Sequence, residues 1–169
     1  CADKSRLVIV NTKKAALMIY KAVKDISPEN TFYLSTDLCA AHRHDVFQTM
    51  HQKLKEKEPI LCVSTQLIEA GVDLDFAVVV RSLAGIDSIV QAAGRCNREG
   101  KRDSGEMKLI DLPRGLENLN SLESIERKKS ITRQLLFKQK DELDILQFND
   151  TFFKKYFSEA PIEMTYPLE

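Results

Sequence analysis

Short apolar runs alternate with helical segments along most of this chain, and that alternation restricts its fold more than any other feature. Leu7-Val8-Ile9-Val10, Phe32-Tyr33-Leu34, Ile60-Leu61-Cys62-Val63, Phe76-Ala77-Val78-Val79-Val80 and Met107-Lys108-Leu109-Ile110 each read as a strand. Continuous apolar runs of this length suit strands buried on both faces, as inside a parallel sheet. Between the first two runs, Ala16, Ile19, Tyr20 and Val23 recur at helical spacing. Asn11 or Thr12 can cap that helix, and Ser27-Pro28 stops it. A longer helix is expected from about Ala40 to Glu56, with Val46, Phe47, Met50 and Leu54 on one side and Pro59 closing the region. Ser64 to Asp75 is a polar connection with room for one helical turn, and Asp87 is placed to cap a further helix that Gly100 terminates. The expected fold class is therefore α/β, a parallel sheet covered by helices on both faces with right-handed crossovers.

This pattern accounts for residues 1–114, and the character changes beyond Pro113. Residues 115–169 are expected to form a helical extension, or a linker toward a further domain. Within them 116–147 read as charged helix, with Glu123 and Arg127 spaced for mutual support. Phe152, Phe153, Tyr156 and Phe157 make an aromatic stripe on a last short helix. That stripe packs against the sheet domain or docks on a neighbouring one. The 25 basic and 25 acidic residues cancel, which argues against a strongly electrostatic, freestanding nucleic-acid binder and leaves a local basic patch open. Cys1, Cys39, Cys62 and Cys96 form no close pair, as expected of reduced thiols in a cytoplasmic protein, with no zinc site. No apolar run approaches membrane length, so no membrane association is expected. The absence of Met at the start suggests a segment of something longer.

Ligands of parallel α/β sheets collect at the carboxyl ends of the strands. Here those ends carry Asn11-Thr12, Ser35-Thr36, Ser64-Thr65 and Arg81-Ser82, three of them adjacent small polar side chains. In Thr65 to Asp75 (TQLIEAGVDLD), Gly71 permits a tight turn or the close approach of a ligand. Asp73 and Asp75 could accept hydrogen bonds from sugar hydroxyls, hold a metal-bound water, or serve as ordinary turn carboxylates. Downstream, if Gln91-Ala92-Ala93-Gly94-Arg95-Cys96-Asn97-Arg98 is helical, then Gln91, Arg95 and Arg98 share one face. Two permanently charged guanidiniums and an amide on one stripe suit an anionic, phosphate-bearing ligand. His44-Asp45 lies mid-helix and reads as surface rather than as a metal site.

The order of these segments resembles a known set. Ser64-Thr65 followed by Gly71-Val72-Asp73, then Gln91-x-x-Gly94-Arg95-x-x-Arg98, is similar to motifs V and VI of superfamily 2 helicases, which lie in the second of their two RecA-like domains. Val10-Asn11-Thr12, Leu34-Ser35-Thr36-Asp37-Leu38-Cys39-Ala40-Ala41-His42-Arg43, Ser64-Thr65-Gln66 and Glu69-Ala70-Gly71-Val72-Asp73 further resemble the CRISPR-associated helicase–nuclease of type I interference. The resemblance covers roughly residues 6–112.

It implies a RecA-like fold and a set of roles. Arg98 would be the arginine finger reaching an ATP site across the cleft between two lobes. Arg95 would contact the γ-phosphate or position the finger, and Gln91 would hydrogen-bond near that phosphate. Asp73 with Gly71 would lie near the ribose or the hydrolytic site. Thr65 would bond a backbone phosphate of single-stranded DNA. Asn11, Thr12, Ser35 and Thr36 would do the same at their strand ends, with His42 or Arg43 adding to this. ATP and Mg2+ would be bound mainly by a first lobe outside this chain, because no G-x-x-x-x-G-K-[ST] loop and no Asp-Glu pair in a helicase-type motif II occurs here. The implied partners are that first lobe, an HD nuclease domain and an RNA-guided CRISPR surveillance complex. One departure is Ala92, where many superfamily 2 proteins carry a further arginine. Two other expectations stand beside this one. A DEAD-box-like RNA helicase lobe is disfavoured by Gln91 standing where that family usually has His. A non-catalytic RecA-like binding module would have no need of Arg95 and Arg98.

Overall fold

A computed structural model describes residues 5–69, 73–100, 102–138 and 145–158. Five parallel strands form one sheet in the order β2-β3-β1-β4-β5. They are β1 (Arg6–Ile9), β2 (Thr31–Leu34), β3 (Leu61–Ser64), β4 (Val78–Ser82) and β5 (Glu106–Ile110). The helices are α1 (Lys13–Lys24), α2 (Ala40–Lys55), α3 (Ile86–Ala93), α4 (Glu123–Lys138) and α5 (Ile145–Ser158), with one-turn 3-10 helices at Pro28–Asn30 and Gln66–Ile68.

The strand pleat sorts β1 between two layers. Leu7 and Ile9 join Leu34, Cys62 and Val79 in a core closed by Met50 of α2 and Ala92 of α3. Val8 turns the other way and packs with Val10, Val63 and the α1 residues Ala15, Ala16, Ile19, Tyr20 and Val23. Helices therefore cover both faces, as the alternation of runs predicts. Thr12 caps α1, its hydroxyl accepting from the Ala15 N–H at 3.2 Å, and Lys21 and Lys24 complement the dipole at the other end.

Two expectations about α3 need correction. Asp87 is not its cap: Gly85 occupies that position, and Asp87 sits in the first turn, where its Oδ2 accepts from Lys128 Nζ at 2.6 Å. A Cβ at residue 85 would lie 2.3 Å from Asp87 Oδ1 and 2.9 Å from Lys128 Cδ, so the close approach of α4 requires glycine. Nor does the helix run to Gly100. It stops at Ala93, because the next residues pair with another part of the chain. Phe76 N–H donates to Arg95 O at 2.9 Å and Asn97 N–H to Phe76 O at 3.1 Å, a parallel bridge between Phe76 and Cys96 that takes the chain out of the helix. Asn97 takes up the resulting turn with φ +50°.

The extension is also less continuous than its charge pattern suggests. Residues 113–122 are turns, beginning where the Leu116 and Glu117 N–H groups both donate to Pro113 O. Only then do α4 and α5 form. Phe148 and Phe152 pack with Leu83, Ile86, Ile89 and Ile131, so the aromatic stripe lies on α3 and α4. Arg127 stacks over the Tyr156 ring at 4.9 Å and donates to Tyr156 O at 3.0 Å. No helix among the described residues is long and apolar enough to cross a membrane.

Candidate functional site

The strand register aligns Leu34, Ser64, Ile9, Arg81 and Leu109 across the sheet. The segments that follow them share one edge, where α1 and α2 also begin. At its centre Asn11 is only 4% exposed, and its side chain is fully engaged. Its Nδ2 donates to Ser82 Oγ and Leu83 O at 3.0 Å each and to Glu117 Oε2 at 2.9 Å. Its Oδ1 accepts from Arg81 Nη1 at 2.9 Å and from Gln66 Nε2 at 3.3 Å. The Asn11 amide that was expected to face a ligand is thus spent on holding three strand ends together.

The other expected strand contacts separate into two kinds. Thr12 is occupied as the α1 cap, and Ser35 is buried with its Oγ accepting from Asp37 N–H at 3.0 Å. Arg43 is half-buried, its Nη1 donating to Leu38 O at 2.7 Å. Thr36 and His42, in contrast, are exposed at the start of α2. That helix begins at Cys39 with no side-chain cap, which leaves its first N–H groups suited to an anion. Thr65 lies at the end of β3, largely buried, its N–H donating to Leu34 O at 3.2 Å. Lys13 of α1 is engaged with Asp37 at 2.7 Å, and this bond from Lys13 holds the Asp37 carboxyl below the usual carboxylate range.

Because α3 ends early, Gln91, Arg95 and Arg98 do not form one helical stripe. Gln91 is exposed on the last turn of α3. Arg95 is 7% exposed and turns inward, its Nη2 donating to Glu69 O at 2.7 Å. Burial, and then the nearby charge of Arg98, push the Arg95 guanidinium below its ordinary value. Arg98 is held by its backbone and presented by its side chain. Its N–H donates to Asp75 Oδ1 at 2.8 Å, while its guanidinium lies outward, 3.3 Å from Asp73 Oδ1. Asp75 secures the same loop a second time through Arg102 Nη1 at 2.7 Å, and Asn97 exchanges two bonds with the Arg102 backbone at 2.8 and 3.0 Å. Asp75 is therefore a positioning carboxylate, one of the three options its sequence context left open. Gly71 lies outside the described residues.

Two charged residues have a part here that the sequence did not assign: Arg81, placed only at a strand end, and Glu117. Arg81 is 0% exposed, its Nε 2.8 Å from Glu69 Oε1 and its Nη1 bonded to Asn11, Ser82 O and Ser82 Oγ. Burial pushes its guanidinium below the ordinary value, opposed by the carboxylates of Glu69 and Glu117. Burial likewise raises the Glu69 carboxyl, and the adjacent Arg81 charge only partly offsets it. Glu117 reaches in from the turn after β5 and accepts from the Asn11 N–H at 2.6 Å and from Ser82 Oγ at 3.0 Å. A signal for Arg81 was available: it lies two residues beyond Val79, on the same core-facing side of β4. Glu117 had none, since its partner Asn11 stands 106 residues away.

The family model described as CRISPR-associated nuclease/helicase Cas3, C-terminal, matches residues 2–101. Among curated proteins, the chain is 28% identical over 111 residues to a CRISPR-associated nuclease/helicase Cas3 of Methanothermobacter thermautotrophicus, covering 64% of this chain and 13% of that protein. It is 57% identical over 51 residues to a CRISPR-associated nuclease/helicase Cas3 of Haloferax volcanii, covering 29% of this chain and 5% of that protein. The crystal structure of T. fusca Cas3 superposes with a TM-score of 0.73 at 19% identity, over 95% of this chain and 22% of that one. The chain thus spans less than a quarter of the length of each protein compared here.

Proposed function

The chain belongs to the family of C-terminal helicase domains of the CRISPR-associated nuclease/helicase Cas3, and from that premise we propose that it is the second motor lobe of an ATP-dependent single-stranded DNA translocase. In this reading it contributes an arginine finger and strand contacts to an ATP site whose phosphate loop and Mg2+ ligands belong to a first lobe. The observation that carries the reading is the treatment of Arg98. Its backbone is pinned by Asp75 within a loop that Arg102 and Asn97 brace, while its guanidinium is at the surface, 3.3 Å from Asp73 Oδ1. A residue fixed at its base, with its charged tip at the surface, suits insertion into a site on a facing lobe.

Arg95 acts differently in this scheme. Turned onto Glu69 O, it ties the finger's loop to the segment that leads through Gly71 to Asp73. A change at the nucleotide is then passed to the neighbourhood of Thr65, at the start of that segment. Strand contact falls to Thr65, Thr36, His42 and the uncapped start of α2, whose donors suit backbone phosphates and carry no base information. ATP, Mg2+, a nuclease domain and an RNA-guided complex enter as partners of the complete protein, and the cytoplasm is its place of work.

The chain by itself is expected to hydrolyse no ATP, with or without single-stranded DNA. Supplying a phosphate-loop lobe is expected to produce DNA-stimulated turnover. Turnover by the purified chain alone, abolished by a chelator of Mg2+, would sink the two-lobe reading. Replacing Thr65 by alanine in the joined protein should weaken binding to oligonucleotides by about the same factor whatever their sequence. A loss confined to some sequences would mean that Thr65 contacts bases.

A further inference from the structure

Three segments of the carboxyl edge are joined by one buried polar chain, and a residue outside the helicase motifs completes it. Arg81 sits between Glu69 and Asn11, at 2.8 Å and 2.9 Å. Glu117 takes the Asn11 backbone and side-chain N–H groups together, at 2.6 and 2.9 Å. Lys129 of α4, its side chain 4% exposed, balances Glu117 at 3.6 Å and reaches Asp111 at 3.1 Å, where Arg133 closes the chain at the surface. The ends of β1, β3 and β4 are thereby fixed to one another and to α4.

We propose that Glu117 is a positioning residue for the grip on the DNA strand, acting through Asn11 and Arg81, so that the extension beyond β5 is part of the gripping apparatus. The inference rests on the functional reading above. Asn11 immediately precedes Thr12 and the first N–H groups of α1, and Glu117 holds its peptide N–H. Arg81, bonded to the other side of the same amide, holds Glu69 and with it the segment that begins at Thr65. The segment at Thr65, where the strand would be held, is thus set relative to the start of α1 by buried hydrogen bonds and a buried ion pair. Such bonds are strong when complete and costly when one partner is lost. An apolar core could hold these strands together, but it would not fix which way the Asn11 amide turns. Arg81 also has a buried Nη2 with no hydrogen-bond partner among the described residues, so its orientation depends on the bonds that Asn11, Ser82 and Glu69 do make.

The test is made on the full-length protein carrying both lobes. Glu117→Gln keeps the shape but presents an amide NH2 to the donors of Asn11 and removes the charge that balances Lys129. It is expected to raise the DNA concentration giving half-maximal ATP turnover about tenfold, with DNA-independent turnover unchanged within about twofold. Ser82→Ala removes the hydroxyl that links Asn11, Arg81 and Glu117 and leaves every charge in place. It is expected to move the half-stimulating concentration the same way by about threefold. Arg133→Ala, at the exposed end of the chain, is expected to leave it unchanged. If Glu117→Gln does not fold, Ser82→Ala decides by itself. Equal losses of DNA-independent and DNA-stimulated turnover, or an unmoved half-stimulating concentration, would overturn the proposal. An unsubstituted protein that shows no DNA stimulation would overturn the functional reading, and this inference would fall with it.

Discussion

Replacing Arg98 by alanine, in a protein that joins this chain to a phosphate-loop lobe, is expected to lower ATP turnover by roughly 10³-fold or more. The size of the effect follows from what a guanidinium does at a transferring phosphoryl group. Charge spreads over the phosphoryl oxygens in the transition state, and a forked, permanently charged donor placed there stabilises it without needing to reorganise. Arg98 is placed for this with its guanidinium at the surface. The side chains of Arg98 and Asp73 are 42% and 79% exposed, so solvent screens most of their attraction and the pair is easily exchanged for a phosphate. Its backbone does not have to move, being fixed by Asp75. Arg98→Lys should recover only a small part of the loss, since an ammonium keeps the charge but not the fork. Folding and DNA binding should be nearly unaffected, because the side chain is at the surface. Single-turnover hydrolysis, with DNA binding measured in parallel, checks this. Unchanged hydrolysis in Arg98→Ala would remove the finger role from this residue.

The fold was legible because it depends on patterns that are local. Five apolar runs, a capping Thr12 and a stop at Pro28 specify strands and helices within a few residues of themselves, and parallel pairing follows from their alternation. The order of the polar and arginine-bearing segments along the chain was legible for the same reason. The setting of Arg98 was not. The apparent helical stripe of Gln91, Arg95 and Arg98 failed because the pairing of residues 95–97 with Phe76 overrides helical spacing, and that pairing joins segments distant in sequence. The small polar residues at the strand ends were correctly grouped at one edge. Which of them face outward was hidden, since Asn11 and Ser35 are consumed by bonds to buried partners while Thr36 is not. Glu117 shows the limit most plainly. It looks like any charged residue in a turn, and only the folded chain brings it to Asn11.

That same burial sets the second large effect. Arg81→Met is expected to destabilise the chain by about 3–5 kcal/mol, measured by urea denaturation. Methionine replaces the arginine stem's apolar volume well enough, so the loss is electrostatic. Removing the guanidinium leaves Glu69 and Glu117 in a buried site with Lys129 beside Glu117 and Arg95 beside Glu69 as buried cations, and leaves Asn11 Oδ1 with the longer bond from Gln66. If uncompensated charge is the cause, two consequences follow. Adding Glu69→Gln to Arg81→Met should restore part of the stability, an interaction that a double-mutant cycle reads directly. The deficit should also depend on pH with a definite sign. Burial already raises the Glu69 carboxyl in the folded chain, and the Arg81 charge is the strongest influence opposing that rise. A carboxyl whose folded value lies above its unfolded value binds more protons when folded, so the stability of the variant falls as pH rises through that range. The gap between Arg81→Met and the unsubstituted chain should therefore narrow as pH is lowered from about 7 toward about 5. A gap that stays constant over that interval, with no gain from Glu69→Gln, would mean that Arg81 stabilises the sheet edge by packing alone.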